Sequence, residues 1–323
     1  MNELLRLRYL LAVYGLRRGN PTKVWGDPAV VDLSGLSRPP SAGAYWLDYS
    51  QDDAADLLSD SAGIPLVDYA TLGRHYNPWY IGHVALARHS KWIHRGDHNA
   101  RQGFLRLADW LASNAEPWHE GKAWIYRYDW FNGHRAPWIS GISQALGISV
   151  LLRAAALSGD AKYSEVAQEA MAVMTAPLDQ GGTAVEWSDG TFSFEESAKR
   201  PATTILNGHL FSVFALHDAA RYFQCDRYAD LRDRGFEFVR RRIGDYDLGY
   251  WSCYSLKRGR AGTPDVASVH YHGVHVAQFR AAAALVSDNR FARWADRFEG
   301  YQQLLGCRLK ALWLKRLNKI LDL

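Results

Sequence analysis

The chain has 323 residues, 48% of them hydrophobic, enough for one large core or two domains. Its formal net charge of +4 is small and the basic residues are not densely clustered, which argues against a nucleic-acid partner and is compatible with an anionic substrate. Three scattered cysteines, Cys225, Cys253 and Cys307, offer neither a metal spacing nor a disulfide framework, which points to a reducing, cytoplasmic setting.

The N-terminal stretch "MNELLRLRYLLAVYGLRR" is apolar but broken by Arg6 and Arg8; it reads as a poor signal peptide and is too short to span a bilayer. Residues 1–70 as a whole read as a partly irregular region with a few strands. Beyond them, four turn signals recur: "RGDHNA", "SGDAKY", "QCDRYA" and "SDNRFA". Their aspartates, Asp97, Asp160, Asp226 and Asp288, are 63, 66 and 62 residues apart, the mark of a repeated unit. Each aspartate can cap the helix after it. Tyr163, Val166, Ala170 and Val173 follow one turn, and Phe291, Trp294, Phe298 and Tyr301 another, both at amphipathic helical spacing. The segments before the turns, such as "SGISQALGISVLLRAAAL", are apolar on nearly all faces, as a buried helix requires. The pattern predicts helical hairpins, inner helix buried and outer helix amphipathic, arranged as a mainly α fold: an incomplete α/α toroid of about four hairpins over residues 71–306. The connections 115–138, 177–203 and 243–270 would then share one rim, where function usually sits on a rigid scaffold. Residues 307–323 form a basic amphipathic helix, with Leu309, Leu312, Trp313, Leu317, Ile320 and Leu321 near one face. It suits either docking on the core or peripheral contact with the inner, anionic membrane surface.

Thirteen Trp and 17 Tyr serve either a heavy core or flat platforms for sugar rings. Three constellations could carry chemistry. "SFEESAKRP" holds Glu195 and Glu196; in an extended segment adjacent side chains point to opposite faces, so one carboxylate can face a pocket while the other faces support or solvent. "YDLGYWSCYSLKRG" holds Tyr250, Tyr254, Lys257 and Arg258. "VHYHGVHV" holds His270, Tyr271, His272 and His275. His272 and His275 share a helix face, yet a metal needs a third ligand, and no HExxH occurs; packing or substrate hydrogen bonding fits them better. No nucleophile elbow, P-loop or dinucleotide fingerprint is present. No cofactor is implied, although loop carboxylates leave room for a structural Ca²⁺.

These residues resemble the C-terminal domain of the D-glucuronyl C5-epimerases. "YNPWYIGHVAL" (Tyr76 to Leu86), "WISGISQALGISVLLRAA" (Trp138 to Ala155), "FEESAKRPATTILNGHLFSVFALHD" (Phe194 to Asp218), "YDLGYWSCYSLK" (Tyr246 to Lys257) and "HYHGVHVAQF" (His270 to Phe279) follow the family's motifs in one order, across roughly residues 70–305. The resemblance implies an α/α toroid acting on an anionic polysaccharide, converting D-glucuronate to L-iduronate in a heparosan-like polymer by removing and returning the C5 proton. It implies Glu196 as one proton-transfer residue, with Tyr254 and Tyr271 on or near the opposite side. Lys257 and Arg258 become candidates for the uronate carboxylate, and Glu195, Asn207, Tyr76, His272 and His275 for substrate or support. Two departures stand out: the family's tyrosine after the glutamate pair is Ser197, and its aspartate before the histidine-rich motif's tyrosine is His270. Tyr250 is a candidate to bring a phenol into the space Ser197 leaves. A uronate lyase on the same scaffold and a non-catalytic polysaccharide-binding protein are the alternatives, and a homodimer is left open.

Overall fold

Residues 43–49, 57–130, 133–259 and 262–321 are described by a computed structural model of the protein. They form nine α-helices: α1 (Pro78–Arg95), α2 (His98–Ser113), α3 (Gly141–Ser158), α4 (Ala161–Thr175), α5 (Leu206–Phe223), α6 (Asp226–Tyr246), α7 (Val269–Leu285), α8 (Asn289–Gln303) and α9 (Leu305–Leu321). Helices α1, α3, α5 and α7 pack on one another in that order, and each also packs on the helix that follows it. The architecture is the α/α toroid expected from the repeat, with four hairpins in an arc.

Burial explains the division of labour. Every residue from Gly141 to Ala155 in α3 and from Leu206 to Ala220 in α5 is buried. Although α3 is long and apolar enough to cross a membrane, it is mostly covered by its neighbours, as befits a core helix. The outer helix α2 buries only a stripe, Phe104, Leu107, Ala108 and Leu111 among it, and α8 buries Phe291, Ala295 and Phe298. Asp97, Asp160 and Asp288 cap α2, α4 and α8 by accepting from the backbone amides of Ala100, Lys162 and Arg290. Asp226 departs from the expectation: it is the first residue of α6, and Cys225 occupies the cap position without a side-chain bond. An acidic group there still favours the positive end of the helix dipole.

Inner helices α3 and α5 are tied by a buried ion pair. Arg153 donates from both terminal nitrogens to Asp218, at 2.6 and 3.0 Å, and also to the Ser149 carbonyl. Tyr45 covers the guanidinium, and Trp46 meets His217 edge-on at 4.7 Å. Segment 43–49, which the sequence groups with an N-terminal region 1–70, thus packs inside the main core. The N-terminal stretch bearing Arg6 and Arg8 lies outside the described residues.

Each long connection carries short antiparallel strands. β1 (Val67–Tyr69) and β2 (Gly73–His75) precede α1; β3 (Glu116–Trp118), β4 (Gly121–Ala123), β5 (Ile125–Tyr126) and β6 (Trp138–Ile139) join α2 to α3; β7 (Ala184–Glu186) and β8 (Phe192–Phe194) join α4 to α5; β9 (Cys253–Arg258) and β10 (Pro264–Val266) join α6 to α7. Helix α9 begins at Leu305 and docks on the last of these. Ala311 and Leu312 pack with Trp251, Val266, Ala267 and Val269, while Lys315 and Asn318 donate to the carbonyls of Val266 and Pro264.

Candidate active site

The connections converge at a cavity of about 650 Å³ on one rim of the toroid. Glu196 reaches it because its segment is pinned on both sides. Ser197 bridges Ser140, and Gly141 donates its amide to the Glu196 carbonyl at 3.1 Å, fixing the segment against the start of α3. A β-carbon at Gly141 would come 2.3 Å from the Glu195 carbonyl oxygen, so the close approach needs glycine there. On the other side, Ile205 bridges Ser255, and Leu256 donates to the Thr203 carbonyl, joining the segment to β9. β9 carries Tyr254 into the same cavity, and the first turn of α7 carries Tyr271.

The two glutamates divide as an extended segment allows. Glu195 is fully buried away from the cavity and accepts from the amides of Thr203 and Thr204 at 2.8 and 3.0 Å and from the Thr203 hydroxyl. It closes the loop that presents its neighbour; it neither contacts the cavity nor lies in solvent. Glu196 faces the cavity. Tyr254 donates its hydroxyl to Glu196 Oε1 at 3.2 Å, and Oε2 has no protein partner. Burial pushes the Glu196 carboxyl up to about 7; the Tyr254 hydroxyl opposes the shift, Glu195 adds to it, and Asn207 opposes it. A carboxylate so tuned is shared between its ionised and protonated forms near neutral pH, the condition a general acid–base group needs. Burial raises Tyr254 and Tyr271, and the Glu196 charge raises them further, so both phenols keep their protons. Their rings lie 4.7 Å apart. Tyr254 therefore stands beside Glu196 rather than across a sugar ring from it, and Tyr271 stands next to Tyr254 without a bond to Glu196.

A β-carbon at Gly208 would lie 2.8 Å from both Glu196 Cβ and Oε2. Gly208→Ala is therefore expected to push the carboxylate off its position, lowering turnover on the order of tenfold or more while leaving the inner helices folded; parallel turnover and thermal-melt measurements on this variant check both parts.

Ser197 and Asn207 also line the cavity. The other residues expected there do not. Tyr76 is exposed and donates to Asp60, leaving its neighbour Asn77 to face the cavity. Lys257 and Arg258 sit on the exposed end of β9, outside the cavity lining. Tyr250 lies under Lys310 of α9, whose ammonium is 4.0 Å from its ring, and so does not fill the space beside Ser197. His272 and His275 are buried behind the wall. Both use Nδ1 to engage the Ser252 hydroxyl, at 2.8 and 2.9 Å, and His272 Nε2 bonds to the Phe298 carbonyl. Trp251 stacks on His272 at 3.7 Å. The histidines thereby brace β9 against α7 and set Tyr254 against Tyr271. Among the described residues no cluster of three His, Cys, Asp or Glu suited to a metal ion occurs.

Another part of the lining escaped the sequence reading. Tyr126 and Trp138 pair across β5 and β6 and stack at 4.1 Å with 11° between planes. The Tyr126 hydroxyl bonds to Asn77 and Ser143, so it is committed to structure. His134 stacks on Trp138 at 4.7 Å; its Nε2 is buried without a protein partner, and burial depresses it to about 4. Tyr69, Trp79 and Trp130 complete an apolar, aromatic face suited to a pyranose ring. The only available signal was the aromatic density of residues 126–138. Asp68 lines the mouth paired with Arg74, and among the described residues no lysine or arginine lines the cavity itself.

Comparison with known proteins bears on the family and the fold. Residues 120–300 match the family model described as the D-glucuronyl C5-epimerase C-terminus. A D-glucuronyl C5-epimerase from Caenorhabditis elegans is 28% identical over 216 residues; the match takes in 61% of this chain and 34% of that protein, so the chain corresponds to about a third of its relative's length. Among solved structures, the cellobiose 2-epimerase of Spirochaeta thermophila superposes with a TM-score of 0.53 at 11% identity, covering 92% of this chain and 84% of that one. A Listeria innocua protein gives 0.50 at 12% identity, covering 81% and 69%. These two likenesses speak for the fold alone. Since the family model takes in more than half of the chain, the protein belongs to the D-glucuronyl C5-epimerase family through its C-terminal domain.

Proposed function

We propose that the protein is a polysaccharide uronate C5-epimerase, converting D-glucuronate to L-iduronate in a heparosan-like chain. The observation that carries the reading is the meeting of Glu196, held near neutrality, with Tyr254 and Tyr271 at one aromatic cavity. Ionised Glu196 takes the C5 proton, and the enolate that forms is met by phenolic hydrogen bonds. Tyr271 returns a proton to the other face of the ring, and Tyr254 couples the phenols to the carboxylate. With no cation in the described lining, the substrate carboxylate is received by neutral donors, His134 foremost because its Nε2 is unpartnered.

Two outcomes follow. A base must be ionised to act, and Glu196 sits at about 7; kcat/KM is expected to fall as pH drops below 7, about tenfold per unit well below it. His134→Ala is expected to raise KM for uronate chains by roughly tenfold with a smaller change in kcat, as loss of one hydrogen bond to a charged group would.

The reading is tested by incubating the protein with de-sulfated, glucuronate-containing chains in D₂O and following C5 by NMR. Deuterium at C5 together with iduronate supports epimerisation. Ultraviolet absorbance from an unsaturated uronate end replaces it with a lyase, and no exchange replaces it with a binding protein, the reading that Ser197 in place of the family tyrosine favours.

A further inference from the structure

Among the described residues, six large apolar side chains are exposed, and four of them, Leu304, Leu305, Leu309 and Trp313, belong to the start of α9 and the residue before it. Their exposures are 57, 49, 42 and 63%. Leu305, Leu309 and Trp313 are four residues apart and form one stripe. The stripe faces away from the core, because Arg308, Ala311 and Leu312 take the buried side. This helix is therefore apolar on two faces, and packing accounts for only one.

The charge around the stripe identifies what suits it. At 3.6 residues per turn, Arg316 and Lys310 fall roughly 60° to either side of Trp313. From Leu305 to Leu321 the sequence has five cations, Arg308, Lys310, Lys315, Arg316 and Lys319, and no acidic residue. The last turns of α9 hold the β9–β10 hairpin on the helix's other side, through Asn318 and Pro264. A tryptophan amid leucines, flanked by cations with aliphatic stems, is the chemistry of a helix lying at an anionic lipid interface.

We propose that α9 docks the protein on an anionic bilayer surface, with Leu305, Leu309 and Trp313 entering the headgroup boundary and Lys310 and Arg316 meeting the phosphates. The proposal is independent of the reaction at the cavity. Tyr254 and Tyr271 pack against the other side of the cluster on which α9 rests, so docking brings the phenol-bearing wall near the surface.

The full chain would be sedimented with phosphatidylcholine vesicles with and without phosphatidylglycerol, at low and high salt, beside a Leu309→Ser/Trp313→Ser variant. The expected result is binding to the anionic vesicles alone, weakened by salt and reduced at least roughly tenfold in the variant. An unchanged thermal melt and unchanged turnover on soluble chains show that the variant is folded. Equal binding by both proteins, or none by either, overturns the proposal. So does a wild-type dimer that the variant converts to monomer, because a second copy would then cover the stripe.

Discussion

Glu196→Gln is expected to lower C5 proton exchange by about 10²- to 10⁴-fold, roughly 3–5 kcal/mol of barrier, with saccharide affinity little changed. Glutamine keeps the shape of the side chain and can still accept the Tyr254 hydroxyl, which lies 3.2 Å from Oε1. What it cannot do is take a proton. The same replacement at Glu195 is expected to act through structure: that carboxylate holds the amides of Thr203 and Thr204 and never meets the cavity. Exchange rates and saccharide titrations on the two variants separate the roles. A Glu196→Gln protein that exchanges at the wild-type rate would remove the carboxylate from the mechanism.

Asp218→Ala is expected to be the most destabilising single change in the scaffold, by about 3–5 kcal/mol, because it strands a buried guanidinium. Arg153 and Asp218 are each almost fully buried and joined by two hydrogen bonds. A loss of this size lowers Tm on the order of 10 °C. The double change Arg153→Met/Asp218→Leu is expected to cost much less, since an apolar pair leaves no charge unpaired. Thermal melts of the three proteins test this; a single variant as stable as the wild type would show that the pair contributes nothing net.

The toroid was legible because its cause is periodic: aspartates 62 to 66 residues apart mark hairpin after hairpin, and three of the four cap the helices they precede. The split between Glu195 and Glu196 was legible from the alternation of an extended segment, which leaves support and solvent equally open for Glu195; the structure gives it the amides of Thr203 and Thr204. The Tyr126–Trp138 wall was not legible, since its pairing across β5 and β6 exists only once the strands meet. Lys257 and Arg258 suit a carboxylate by charge, but they follow Tyr254 on the exposed end of β9 and do not line the cavity. Arg153 and Asp218 lie inside two family-like segments, yet nothing in either segment names the other as partner.

The most direct test of the account is a structure of the Glu196→Gln protein with a glucuronate-containing oligosaccharide. The account predicts a uronate ring in the cavity, among its aromatic lining, with C5 within about 3.5 Å of the residue 196 side chain and the Tyr271 hydroxyl toward the ring's other face. A saccharide bound elsewhere, or one with both groups on the same face of the ring, would contradict it.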